Sequence, residues 1–175
     1  MTKDQEALRR KEILRAAEWC FLHFGFGKTA LEDIAKRAGI SRPLLYRQFK
    51  NKDEIFASVL EDGFEERYAR AEIALAAGGS KGDRLARGVE ILLLEPWSQM
   101  SAAPMALEFF EACSVVAPQI EAAQQKRVVK LVQSVLGAKD LAEVFLLALD
   151  GLESDVPSTP VLRRRVGLLI ERFVA

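Results

Sequence analysis

One histidine, His23, and two cysteines, Cys20 and Cys113, are all that 175 residues offer of imidazole and thiol. Zinc and di-metal centres gather several such groups in one place, so no metal and no cofactor is expected. The cysteines lie far apart within apolar stretches, the pattern of reduced, buried thiols in a cytoplasmic protein rather than of a disulfide framework. No run of 18 apolar residues is present to span a membrane, and the charged N-terminus lacks the apolar stretch of a signal peptide. Net charge is absent too: 25 Lys and Arg balance 25 Asp and Glu. Half of the residues are hydrophobic, which excludes a disordered chain. A chain of this length buries a sufficient core without staples.

The neutral total conceals an asymmetry. Residues 1–56 carry 12 basic and 8 acidic side chains, leaving 13 basic and 17 acidic in the remainder. A basic end on an acidic body points to a polyanion as partner. The apolar period is helical throughout, with no strand signature, so the fold is all-α. Leu8, Ile13, Ala17, Cys20, Phe21 and Phe24 keep helical spacing until Gly25 and Gly27. Thr29 to Glu32 has the form of a capping box opening a short helix to Ala38, with Gly39 placed for a left-handed C-cap. Ser41 offers the next N-cap and Pro43 suits a first turn. Leu45 and Phe49 then share one face. Two short helices about a tight glycine turn form a helix-turn-helix.

A long helix follows over 53–76, then helices over about 82–95, 104–117, 118–136, 139–153 and 160–174, separated by Pro96, Pro118, Gly137 and the Pro157/Pro160 loop. The last two are apolar nearly all round, which requires cover on every side. A second copy of the chain supplies it: a two-fold four-helix interface through Leu141, Phe145 and Leu149 of one helix and Leu162, Val166, Leu169 and Phe173 of the other. The alternative is that both are internal core helices.

The run from Arg9 to Phe56 resembles the tetracycline-repressor (TetR) family of bacterial transcription regulators. It carries I-L-R-A-A at 13–17, F-x-x-x-G at 21–25, T-A-L-E-D-I-A at 29–35, A-G-I-S at 38–41, L-Y-x-x-F at 45–49 and N-K-D-E-I-F at 51–56. The resemblance implies a DNA-binding domain at 1–52 and a ligand-binding and dimerisation domain at 53–175. It also implies that helix 42–49 enters the major groove, with Ser41 before it and Arg42, Pro43 and Leu44 on its first turn. Tyr46 and Lys52 match the family's phosphate contacts, and Arg47 and Gln48 point toward the groove wall. Ala30 departs from the hydroxyl many relatives carry, so Thr29 or a backbone N–H takes that role. Leu44 favours a thymine methyl.

Residues 88–125 hold five glutamates, Glu90, Glu95, Glu108, Glu111 and Glu121, and no basic residue. Trp97, Met100, Met105, Glu108, Phe109, Phe110 and Cys113 are read as the lining of an adaptable pocket between helices, opened where Pro96 and Pro104 interrupt the chain. The expected protein is a homodimeric regulator that binds a palindromic double-stranded operator, and most often a repressor. A small hydrophobic or cationic aromatic effector releases it by tilting helix 53–76. Two alternatives are an all-α enzyme and a helical adaptor that binds only proteins. Catalysis has little to rest on, since His23 lies in the DNA-binding module, away in sequence from Glu108 and Glu111.

Overall fold

The computed structural model describes residues 3–174, and of Lys3 and Glu121 the backbone only. The described residues form helices α1 (Lys3–Phe24), α2 (Leu31–Arg37), α3 (Arg42–Gln48), α4 (Lys52–Ala76), α5 (Lys81–Val89), α6 (Glu95–Ser101), α7 (Ala106–Val116), α8 (Pro118–Leu136), α9 (Lys139–Glu153) and α10 (Thr159–Val174). A π-helical turn, Glu90–Leu94, joins α5 to α6.

That turn corrects the expected break at Pro96. Proline lacks the N–H that an α-helix interior needs and collides with the carbonyl four residues back. Here the Glu95 N–H donates to the carbonyl of Glu90, five residues back. The wider turn restarts the helix at Glu95 and leaves Pro96 in a first turn, where its missing donor costs nothing. The chain therefore stays helical to Ser101.

Packing divides the chain differently from 1–52 and 53–175. One compact unit comprises residues 1–63 and 102–121, the other 64–101 and 122–175. In the first, Ile13, Ala17, Cys20 and Phe21 of α1 are buried with Ile34, Leu45, Phe49, Ile55 and Phe56. Phe56 packs on Phe21 at 5.2 Å and on Phe109 of α7 at 5.1 Å between ring centroids. Helix α7 thus belongs to the core that carries the helix-turn-helix.

In the second unit, Leu75, Leu85, Val89, Leu94, Trp97, Val132, Phe145, Leu149, Leu162, Val166 and Ile170 form one buried cluster, with Leu169 and Phe173 packed against it. Most of the expected dimer face is therefore packed within its own chain. Phe145 and Leu162 are fully buried, and Leu149 and Val166 nearly so, inside their own chain. Only Leu141 of the seven is exposed, together with Val144 and Leu147 on α9 and Leu168 on α10. An all-round apolar helix has two such faces, and the bulkier one turned inward.

Candidate nucleic-acid interface and cavity

Helix α2 ends as its sequence dictates. Gly39 takes φ +65°, its N–H reaches the Lys36 carbonyl, and the Ile40 N–H reaches that of Ala35. This is the paired closure that a left-handed glycine makes possible. Three residues later α3 begins, with Ser41 at the N-cap and Pro43 in its first turn. The Ser41 backbone takes the cap conformation, but its side chain makes no capping bond.

The burial of α3 is one-sided. Leu45 and Phe49 are buried, and the Arg10 guanidinium lies 4.4 Å over the Phe49 ring while donating to the Ser58 hydroxyl at 2.9 Å. Ser41, Arg42, Pro43, Tyr46 and Arg47 are exposed, and Leu44 and Gln48 half-buried. Arg42 donates to the Tyr46 hydroxyl at 3.3 Å, so these two side chains form one exposed group. Lys36 and Lys50 are exposed as well, which makes the surface about α3 basic.

Two expected contacts are differently employed. Thr29 is buried, and its hydroxyl is used up on the carbonyls of Gly25 at 2.7 Å and Cys20 at 3.2 Å. The N-cap of α2 is Ala30, whose N–H donates to Asp33 at 2.9 Å. Thr29 therefore neither caps α2 nor offers a side chain to phosphate. Lys52 is half-buried, and its ammonium donates to the carbonyls of Phe26 at 2.5 Å, Thr29 at 3.1 Å and Gly27 at 3.2 Å. An ammonium has three donors, and the α1–α2 turn engages all of them.

The same turn is held from α7. Glu108 accepts the Gly27 N–H at 2.8 Å, and its carboxylate lies where a Cβ on Gly25 would stand, within 2.3 Å. Gly25 also has φ +86°, so two independent reasons demand glycine there. Glu108 was expected in a ligand pocket; it is a fastener of the DNA-binding unit. No sequence signal pairs residues 81 positions apart in this way.

The other expected pocket residues are shared between the two units. Met105, Phe109, Phe110 and Cys113 lie in the first unit, Trp97 and Met100 in the second. The buried indole of Trp97 donates to the Pro157 carbonyl at 3.1 Å. The Glu121 side chain lies outside the described residues. A cavity of about 150 Å³ exists elsewhere, within the second unit. Leu75 of α4, Leu85, Gly88 and Val89 of α5, Leu92 and Leu93 of the π turn, Val128 and Val132 of α8, and Leu146, Leu149, Asp150 and Glu153 of α9 line it. None of the expected seven does.

Among the described residues no helix is long and apolar enough to cross a membrane. Residues 13–59 match the family described as bacterial regulatory proteins, tetR family. The transcriptional activator FasR of Mycolicibacterium smegmatis is 33% identical over 82 residues, which are 47% of this chain and 37% of that protein. The match thus spans little more than a third of that relative. A TetR transcription regulator of Haloarcula marismortui superposes with TM-score 0.79 over 96% of this chain and 97% of its own, at 16% identity. SmeT, the repressor of the Stenotrophomonas maltophilia efflux pump SmeDEF, does so with TM-score 0.67 over 94% and 87%, at 22% identity. Proteins of this family are transcriptional regulators, not enzymes. Residues 13–59 thus carry the DNA-binding segment of the TetR family of bacterial transcriptional regulators, and the described residues share the all-helical fold of TetR regulators.

Proposed function

We propose that the protein is a cytoplasmic homodimeric repressor whose two α3 helices read a palindromic operator, and that a small molecule entering the cavity of the second unit releases it. Residues 1–52 act as the DNA-binding domain, braced from 53–63 and 102–121, and the rest of 53–175 acts as the ligand and dimerisation domain. The observation that carries the reading is the division of α3, apolar residues inward and Arg42, Pro43, Tyr46 and Arg47 outward. Arg42 is suited to a guanine edge and Leu44 to a thymine methyl. Arg47 suits backbone phosphate, and Gln48 lies beside it toward the groove wall. Tyr46 holds Arg42 in place from one turn away.

The dimer uses the outward face of α9 and α10. Leu141, Val144, Leu147 and Leu168 are exposed there. Gly151 and Gly167 interrupt the same helices with nothing within 4 Å of a would-be Cβ. Gly167 is mid-helix, where glycine costs about 1 kcal/mol relative to alanine, and close approach of a partner helix would offset it. Two copies joined so would address half-sites about 34–36 Å apart.

Fluorescence anisotropy of labelled duplexes across a salt series tests the reading. Selective binding to a palindrome with a steep loss of affinity in salt supports it. Equal, weak binding to every duplex overturns it.

A further inference from the structure

The cavity in the second unit is aliphatic in its depth and acidic at its rim. Helices α4, α5 and α8 and the π turn bring only leucine, valine and Gly88 to it, without a ring to stack on or a hydroxyl to bond. Its polar lining is Asp150 and Glu153, the first exposed and the second half-buried, one turn apart on α9. No basic side chain lines it, and neither carboxylate has an ion-pair partner among the described residues. Nearby Arg165 is committed to Asp155 and to the Leu152 carbonyl. The helix opens into π geometry at Leu92 and Leu93, and such turns gather at functional sites.

We propose that this cavity binds an alkylammonium ion, its hydrocarbon in the aliphatic depth and its charged nitrogen between Asp150 and Glu153. The assignment rests on the reading of this cavity as the effector site and names its ligand class. An anion entering here meets two carboxylates and no counter-charge, which is costly. A flat aromatic cation finds no ring. An aliphatic chain fills the depth, and a general cavity of about 150 Å³ accommodates a ligand the size of benzene. Burial and Asp150 push the Glu153 carboxyl up to about 7, and burial raises Asp150 as well. A bound cation supplies the missing counter-charge and draws Glu153 into its ionised form, so binding releases a proton near neutrality.

The matched probes are n-hexylammonium, 1-hexanol and hexanoate, titrated calorimetrically into the intact protein near pH 7 without DNA. Hexylammonium should bind about tenfold tighter than hexanol, with proton release that scales with buffer ionisation enthalpy, and hexanoate should not bind. The double variant Asp150→Asn with Glu153→Gln should lose that preference while still binding hexanol. Filling the depth with Leu146→Phe, or with Leu92→Phe if the first misfolds by circular dichroism, should abolish binding of both. Hexanoate or hexanol matching hexylammonium, an unchanged double variant, or no binding to the folded protein each overturns the assignment. Operator binding is measured separately, so its absence would overturn the regulator reading and leave this result standing.

Discussion

Lys52 and Glu108 grip Gly27 from its two polar ends: the Glu108 carboxylate accepts its N–H at 2.8 Å and the Lys52 ammonium donates to its carbonyl at 3.2 Å. One residue opens α4 and the other sits in α7, and between them they fix the turn that sets α2 after α1. A charge-assisted hydrogen bond contributes about 1.5–3 kcal/mol. Lys52→Ala should therefore lower unfolding stability by about that much in urea titrations. It should leave the salt slope of DNA binding unchanged, since its donors serve the turn. A slope reduced by about 1 would return Lys52 to the phosphates.

Glu108→Gln keeps an acceptor for the Gly27 N–H, whereas Glu108→Ala removes it. The alanine variant should lose about 1.5 kcal/mol and the glutamine variant less, by the same urea measurement. Equal losses would mean that the carboxylate charge, not the acceptor, matters at this turn.

Placing a charge on each face of α9 and α10 separates the two accounts of the dimer. Leu147→Glu or Leu168→Glu, on the exposed face, should give a monomer by light scattering with helix content retained. Phe145→Glu buries an unpaired charge in the chain's own core, at a cost of about 3 kcal/mol or more, and should unfold the second unit. A soluble dimer from both surface variants would remove α9 and α10 from the interface.

Local rules reach as far as local forces do. The cap at Gly39, Pro43 in its first turn and the inward Leu45 and Phe49 follow from backbone preference and period, and the structure has them. The cap falls on Ala30 rather than Thr29, because Ala30 and Asp33 start α2 one residue later and both registers suit the sequence. The phase of α9 was ambiguous, because Ala142, Phe145 and Leu149 and the row Leu141, Val144 and Leu147 are both apolar. Gly151 and Gly167 were the available signal for the outward side. Glu108 and the cavity had none, since their neighbours come from distant helices.

Arg42 and Tyr46 act as a pair, and their variants should differ in kind. If Arg42 reads a base as proposed, Arg42→Ala should cost about 1–3 kcal/mol at one operator position and relax its specificity. Tyr46→Phe leaves the guanidinium in place but unanchored, so affinity should fall while the preferred sequence stays the same. Arg47→Ala should weaken binding evenly and lower the salt slope by about 1. Competition among single-base operator variants decides this. An unchanged preference with Arg42→Ala would reassign that side chain to the backbone.

Glu153 makes the stability of the second unit depend on pH. Its carboxyl is raised from 4.5 to about 7 by burial and by Asp150, so the folded chain holds the proton more tightly than the unfolded one. That contribution is full below pH 4.5 and is lost as pH rises through about 7. Solvent screening at a half-exposed group reduces it to on the order of 1 kcal/mol. Glu153→Gln cannot ionise. Relative to the parent it should gain on the order of 1 kcal/mol above neutrality and gain nothing in acid, by urea unfolding on both sides of the window. Profiles that run parallel across the whole range would show that the Glu153 carboxyl titrates as an ordinary solvated acid.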